Sequence, residues 1–189
     1  MKKLIIPCLL LLIYSCNESK TPRENIKDTS TVVVKETEKL LDTGAKSSDD
    51  PITDIRNKVE NINTKTLTKK HFEFMCDEMM KFDYYYDNGE LVKISVDFGT
   101  VGDVYAKEDY YYDAGKFIFK YEFVEGGPAC EGCIKKNEYR SYIKDNKVIK
   151  YLKDKTQTNC RTCEFSSKSK ENKLIFAKNT ADIKTIMCN

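Results

Sequence analysis

The sequence predicts an α+β fold, in which an N-terminal amphipathic helix packs on an antiparallel β-meander of about six to eight strands and a short helix ends the chain. Three observations carry this prediction. Apolar residues recur at helical spacing after Pro51, the apolar pattern then alternates with a period of two between Lys70 and Asp154, and one phrase within that stretch is written twice. A change from helical spacing to a period of two predicts a change from helix to strand.

The predicted helix covers residues 51–63. Asp50 is a favourable N-cap, and Pro51 suits the first helical position, where its missing N–H is not needed. Charged residues occupy the other face of the helix, so we expect its apolar face to lie on the sheet that follows. The apolar positions are Ile52, Ile55, Val59 and Ile62.

The repeated phrase predicts β-hairpins. Residues 83–89 read Asp-Tyr-Tyr-Tyr-Asp-Asn-Gly, residues 109–115 read Asp-Tyr-Tyr-Tyr-Asp-Ala-Gly, and an apolar run follows each copy. An aromatic run, a turn containing glycine and a second apolar run are together the signal of a hairpin. A third, less regular copy turns near Asp145-Asn146. We expect hairpins at about 81–98, 104–124 and 138–154, with a last strand over 174–177 and a short helix after Thr180.

Turn length decides which residues face the core, because a slip of one residue inverts the faces. A three-residue loop over 87–89 places Phe82, Tyr84 and Tyr86 beside Val92, Ile94 and Val96. A two-residue loop at Ala114-Gly115 unites Tyr110 and Tyr112 with Phe117, Phe119, Tyr121 and Phe123.

Both choices of loop place the middle tyrosines, Tyr85 and Tyr111, on the outer face of the sheet. They are our candidate ligand-binding residues, as an aromatic surface for a glycan or protein ligand. The alternative is that they serve only the sheet, since tyrosine is common in strands.

The N-terminus has the features of an export signal. Lys2-Lys3 precede an apolar stretch that is too short to span a bilayer and that ends in Ile13-Tyr14-Ser15-Cys16. These residues resemble the lipobox of a bacterial lipoprotein precursor. The resemblance implies a signal peptide at 1–15, a lipid-modified, palmitate-carrying Cys16, and an anchor in the cell envelope. By the same resemblance, Asn17 after the cysteine implies sorting to the outer membrane, with the domain facing the periplasm or the surface. The alternative is an ordinary secretory signal in which Cys16 is incidental.

Residues 16–50 are rich in Ser, Thr, Lys and Glu, which predicts a disordered tether before a single α+β domain at 51–189. Loss of Lys2 and Lys3 with the signal peptide reduces the 32 basic side chains to 30, which equals the number of acidic ones. A net charge near zero argues against nucleic acid as a partner, since nucleic-acid binding needs a basic surface.

Six further cysteines are candidates for disulfides, as expected in an exported chain. We expect the two Cys-x-x-Cys pairs to meet at the open end of the third hairpin and bridge to each other, and Cys76 to join Cys188. The alternatives are zinc bound by Cys130, Cys133, Cys160 and Cys163, or redox activity of these pairs. The six are Cys76, Cys130, Cys133, Cys160, Cys163 and Cys188.

The sequence contains no recognisable catalytic motif. His71 is the only histidine, and neither a nucleophile elbow nor a phosphate-binding loop is present. We therefore expect a membrane-anchored extracytoplasmic lipoprotein without a cofactor, acting as a non-catalytic binding or cell-envelope structural module. The alternative is a thiol–disulfide or zinc-dependent protein that uses the Cys130/Cys133 and Cys160/Cys163 pairs.

Overall fold

The computed structural model describes residues 50–188, which are mostly β with some helix. Eight strands form one antiparallel sheet whose spatial order follows the chain, which confirms the predicted meander. The strands are β1 (Thr68–Met75), β2 (Met79–Asp87), β3 (Glu90–Val101), β4 (Val104–Asp113), β5 (Lys116–Gly126), β6 (Lys135–Lys144), β7 (Lys147–Lys153) and β8 (Thr156–Gln157). The helices are α1 (Pro51–Thr64), α2 (Lys170–Leu174) and α3 (Thr180–Met187). The predicted signal peptide, Cys16 and the tether up to residue 49 lie outside the described residues.

Helix α1 begins at a well-formed cap. The Asp50 carboxylate accepts hydrogen bonds from the backbone N–H groups of Ile52 and Thr53, both at 3.1 Å, and Pro51 opens the helix. Ile55 is buried on the side that faces the sheet. It packs with Tyr111, Phe119 and Tyr142 in a small apolar cluster.

The sheet has an inner face and an outer face. The inner face holds the main core, and α2, α3 and the segment before them cover it. The outer face is crossed by α1. The main core includes Phe74, Phe82, Tyr84, Ile94, Val96, Tyr110, Tyr112, Phe117, Ile143, Phe165, Leu174 and Ile183.

Three hairpins share one design. The turns Asn88-Gly89, Ala114-Gly115 and Asp145-Asn146 each have positive φ at both residues, as a type I′ turn requires. Three positions after each turn, one residue of the second strand has no partner and forms a β-bulge. These bulge residues are Val92, Ile118 and Ile149.

The bulges change two of the predictions made from turn length. The three-residue loop over 87–89 is wrong, but a two-residue turn followed by a bulge inverts the faces in the same way. Phe82 and Tyr84 therefore lie opposite Val96 and Ile94 as predicted. In the second hairpin the two-residue turn is correct, but the bulge moves three of the four predicted core residues of β5 to the outer face. Phe119, Tyr121 and Phe123 lie opposite Tyr111, Asp109 and Lys107 there, and only Phe117 joins Tyr112 in the core.

The chain returns along β7 after a further turn at Asp154-Lys155. The backbone N–H of Val148 donates to the carbonyl of Cys163 at 2.9 Å, and that of Phe165 donates to Asn146 at 2.8 Å. This segment leads into α2 and α3. The predicted last strand over 174–177 is wrong, because Leu174 ends α2 and its side chain is buried in the main core.

Candidate binding groove on the outer face

Strand pairing arranges the outer face in rows that run across the sheet. The repeated phrase contributes Asp83 and Tyr85 on β2 and Asp109 and Tyr111 on β4, and β3 places Ser95 and Lys93 between them. The two copies therefore present equivalent residues on both sides of one strand. The first row is Lys69, Tyr85, Lys93, Tyr111, Phe119 and Tyr142, and the second is His71, Asp83, Ser95, Asp109, Tyr121 and Arg140.

The two candidate tyrosines have different environments. Tyr85 is half-buried on the part of the outer face that α1 leaves open. Tyr111 is only 3% exposed and packs in the cluster that contains Ile55 of α1. Its hydroxyl donates to Asn63 Oδ1 at 3.0 Å. Strand register places Tyr111 on the outer face as predicted, but α1 covers that position and leaves little of the side chain exposed.

Lys93 is the central cation of this surface. Its Nζ lies 3.1 Å from Asp109 Oδ2, 3.3 Å from Asn63 Oδ1 and 4.8 Å from the centre of the Tyr111 ring. Burial disfavours the charged form of the lysine, but the Asp109 carboxylate and Tyr111 outweigh it and raise the pKa of Lys93. Lys93 is therefore held as a cation against Asp109.

Asp109 has one oxygen without a partner. The residue is 8% exposed, and within residues 50–188 its Oδ1 is the buried side-chain oxygen or nitrogen that lacks a hydrogen-bond partner. Leaving a buried acceptor unpaired costs roughly 1–3 kcal/mol. A ligand that donates a hydrogen bond to this oxygen would offset that cost.

A groove of about 570 Å³ lies between α1 and the sheet, and Asp109 is one of the residues that line it. Arg56, Glu60 and Asn63 of α1 line one side, and Tyr121 and Arg140 of the sheet lie on the other. This volume is in the range of sites for small ligands. The remaining residues that line the groove are Val59, Thr64, Lys93, Asp109, Tyr111, Phe119 and Tyr142.

Three of the five charged residues that line the groove are paired within the protein, and the other two, Arg56 and Glu60, carry opposite charges. Arg140 lies 2.5 Å from Glu138, and its guanidinium is 5.6 Å from the centre of the half-buried Tyr121 ring. Lys93 is paired with Asp109 as described above. The groove therefore offers aromatic surface and hydrogen-bonding groups with little net charge, which suits a neutral polar ligand.

His71 lies on the same face but does not form a catalytic triad. Its Nδ1 is 2.6 Å from Asp83 Oδ1, and Ser95 follows Asp83 on the next strand. In this order Asp83 separates the other two residues, so His71 and Ser95 are two strand spacings apart, about 9–10 Å. A histidine at that distance cannot take the proton of the serine.

Burial acts against the charged form of Asp83, but hydrogen bonds from His71 and Lys69 lower its pKa.

The inner face carries a buried network of ion pairs around Lys120. Its Nζ lies 3.3–3.4 Å from Glu108, Glu122 and Glu171. Lys170 and Arg161 add further cations to Glu108 and Glu122, both at 2.9 Å. Three cations thus face three carboxylates. We interpret this balanced network as a structural link between the sheet and the C-terminal segment.

The six cysteines among residues 50–188 form three disulfides. Cys76 bridges to Cys188 as expected, whereas Cys130 bridges to Cys133 and Cys160 to Cys163. The expectation that the two Cys-x-x-Cys pairs bridge to each other is wrong in this structure.

The separation of the two pairs follows from the return of the chain along β7. Cys163 lies beside Val148, which is paired with Ile143, whereas Cys133 precedes Lys135 at the other end of β6. The eight residue steps from Lys135 to Ile143 span about 26 Å. The four sulfurs are therefore too far apart for the zinc site considered above. Within the described residues, no group of three or more His, Cys, Asp or Glu side chains is arranged to hold a metal.

Between Asp50 and Cys188, no helix is long and apolar enough to cross a membrane.

Comparison of the chain with known protein families, with curated proteins and with solved structures finds no match. The groove, the ion-pair network and the disulfides are therefore the observations from which function can be argued.

Proposed function

We propose that the protein is a membrane-anchored extracytoplasmic lipoprotein whose folded domain is a non-catalytic module that binds glycan in the outer-face groove. The signal-like residues 1–15 and Cys16 support the anchor. Three disulfides in one domain support an oxidising compartment outside the cytosol. As a flexible coil, residues 17–50 would span roughly 30 Å, which would leave the domain close to the polymers of the envelope.

The unpartnered Oδ1 of Asp109 is the observation that carries the binding proposal. The oxygen needs a hydrogen-bond donor, and a sugar hydroxyl supplies one without adding charge. The Tyr121 ring offers an apolar face on which a pyranose ring can lie. A glycan meets both requirements, whereas a charged peptide would have to compete with the pairs Lys93–Asp109 and Arg140–Glu138.

The test is calorimetric titration of the protein with oligosaccharides released from purified peptidoglycan and from outer-membrane polysaccharide. Asp109→Leu and Tyr121→Ser should each weaken binding at least tenfold. Tyr105→Ser is the matched control, because Tyr105 is a half-buried tyrosine of the sheet outside the groove, and its variant should bind as the wild type does. Absence of glycan binding by the wild type, or equal losses in all three variants, would contradict the proposal.

Thiol–disulfide exchange is the second candidate, because each Cys-x-x-Cys pair closes on itself and Cys130 and Cys163 are exposed. Neither pair opens a helix, so the usual means of lowering a thiolate pKa is lacking at both. An insulin-reduction assay tests this candidate. Catalysis that Cys130→Ser or Cys160→Ser abolishes would favour exchange over glycan binding.

A further inference from the structure

The side of α1 that lines the groove presents residues at helical spacing. Arg56, Val59, Glu60 and Asn63 recur three and four positions apart, so they form one stripe along the helix. Val59 lies one turn before Asn63 on this stripe. The stripe therefore places an apolar side chain beside an amide group on the helix side of the groove.

The amide of Asn63 has a defined orientation. Its Oδ1 accepts from the Tyr111 hydroxyl at 3.0 Å and from Lys93 Nζ at 3.3 Å. An ammonium group can only donate, so the amide oxygen and not the nitrogen must face Lys93. Among the interactions of residues 50–188, none uses the two N–H groups on Nδ2 of Asn63. Asn63 therefore brings an unused hydrogen-bond donor to the groove.

Asp109 brings the complementary acceptor from the sheet. Its Oδ2 lies 3.1 Å from Lys93 Nζ, the same ammonium group that contacts Asn63, so the two side chains are neighbours. The other oxygen, Oδ1, is the unpartnered acceptor described above. The Asp109 side chain is 12% exposed, and the terminal torsion of an aspartate is soft, so a small rotation turns this oxygen toward a ligand in the groove. The groove thus has an unused donor on the helix side and an unused acceptor on the sheet side.

We propose that the groove selects glycans whose sugars carry an acetamido group, that is, N-acetylhexosamines. An acetamido group is a planar secondary amide whose C=O and N–H point in opposite directions. Its carbonyl accepts from Asn63 on α1, and its N–H donates to Asp109 Oδ1 on the sheet. Its methyl group packs on Val59 and on the Tyr121 ring. This inference rests on the proposed function, because it names the class of glycan that the same groove would bind.

The substituent on the sugar ring decides how well these groups are matched. A hydroxyl in place of the acetamido group supplies its donor and acceptor from one atom, and it has no methyl group for Val59. A free amine lacks the carbonyl that Asn63 requires and adds a positive charge beside Lys93. A site built to hydrogen-bond one group binds an analogue that lacks it much more weakly.

The test is calorimetric titration of the protein with three trisaccharides that share one β-1,4-linked backbone. Triacetylchitotriose carries an acetamido group on each ring, cellotriose carries a hydroxyl there, and the deacetylated trimer carries an amine. We expect the acetylated trimer to bind at least tenfold more tightly than either of the others. Equal affinities for the acetylated trimer and cellotriose, or tighter binding of the amine, would overturn the inference.

Asn63→Asp is the discriminating variant, because it keeps the oxygen that Tyr111 and Lys93 contact and replaces the amide nitrogen with an acceptor. Affinity for triacetylchitotriose should fall at least tenfold, whereas affinity for cellotriose should change less than threefold. Asn61→Asp is the matched control, because it adds the same charge two residues earlier on α1, outside the groove, and it should keep the wild-type preference. An equal loss in both variants would also overturn the inference, since the loss would then come from charge at the end of the helix.

Failure of this inference and failure of the proposed function give different results. Binding of the envelope oligosaccharides, with triacetylchitotriose bound no better than cellotriose, would overturn the inference and leave the proposed function standing. Absence of binding by the envelope oligosaccharides and by all three trimers would overturn both.

Discussion

The ammonium group of Lys58 lies 2.8 Å from the carboxylate of Asp113. The second aspartate in the second copy of the repeated phrase therefore holds α1 against the sheet. The first copy does the same, since Lys65 lies 2.6 Å from Asp87. The two lysines are seven residues apart on and just beyond α1, which places them on one side of the helix. The second aspartate of each copy therefore lies next to a hairpin turn and also pairs with a lysine that docks the helix.

Neutralising both turn aspartates should loosen α1 only slightly. Asp87→Asn with Asp113→Asn removes two exposed ion pairs, each worth about 0.2–1 kcal/mol, so we expect a combined loss of roughly 0.4–2 kcal/mol. Urea denaturation measures the change in the free energy of unfolding. Asp145→Asn is the control, because Asp145 occupies the third turn and makes no ion pair within residues 50–188, and it should have no effect. A loss as large in the control would show that the turn itself, and not the helix contact, is what the aspartates stabilise.

Truncation of Ile55 should have a larger effect than loss of the ion pairs. Ile55 is 5% exposed and packs on Tyr111, Phe119 and Tyr142. Ile55→Ala leaves a cavity in this cluster and should destabilise the domain by about 2–5 kcal/mol. Ile149→Ala serves as the comparison, because Ile149 is 41% exposed at a bulge, and we expect it to cost under 1 kcal/mol. Similar losses for the two variants would mean that α1 contributes little to the fold.

The sequence was sufficient for the meander and for the inner core of the first hairpin, but not for the bulges or for the core residues of β5. A three-residue loop and a two-residue turn followed by a bulge invert the faces in the same way, so periodicity cannot distinguish them. For Phe82 and Tyr84 the choice made no difference to the predicted core. For Phe119 it did, because the bulge at Ile118 exchanged its face.

The groove depends on information that local pattern does not contain. The register of β2, β3 and β4 brings Tyr85 and Tyr111 to one face as expected, together with Asp83 and Asp109. Which part of that face α1 covers depends on long-range contacts such as Asn63 with Tyr111. The unpartnered oxygen of Asp109 arises from the same contacts, and only the folded structure could show it.

The three disulfides should differ in their contributions to stability. Cys76 and Cys188 are 112 residues apart, whereas the members of each Cys-x-x-Cys pair are three apart. In the chain-entropy account, closing a loop of about 100 residues contributes about 4.7 kcal/mol, and a loop of about four residues contributes roughly 2 kcal/mol. Cys76→Ser with Cys188→Ser should therefore be the most destabilising of the three double variants in thermal unfolding. If either short pair proved more costly to remove, its effect would have to come from contacts in the folded state.

Removal of Lys120 should be costly, and its effect should depend on pH. The lysine side chain is 9% exposed and lies among three carboxylates, so Lys120→Met leaves buried negative charge uncompensated and should cost about 3–5 kcal/mol near neutral pH. Lys136→Met is the control, because that side chain is 66% exposed in its pair with Glu125, and it should cost under about 1 kcal/mol.

The pH range of this effect follows from the shifts in the network. Burial opposes the charged forms, but Lys120 and Lys170 lower the pKa of Glu108 below its ordinary 4.5, and the three glutamates raise that of Lys120 above 10.5. The stability that Glu108 contributes is present above about pH 4.5 and is lost as the pH falls through the folded pKa of Glu108. The stability that Lys120 contributes is present below about pH 10.5 and is lost as the pH rises through the folded pKa of Lys120. The difference in unfolding free energy between wild type and Lys120→Met should therefore be largest near neutral pH. It should shrink in acid, where the glutamates are protonated, and in base, where Lys120 loses its proton. Tyr110 and Tyr112, whose pKa values burial raises, are present in both proteins, so their titration largely cancels. A difference that does not change with pH would show that Lys120 acts through packing of its side chain and not through its charge.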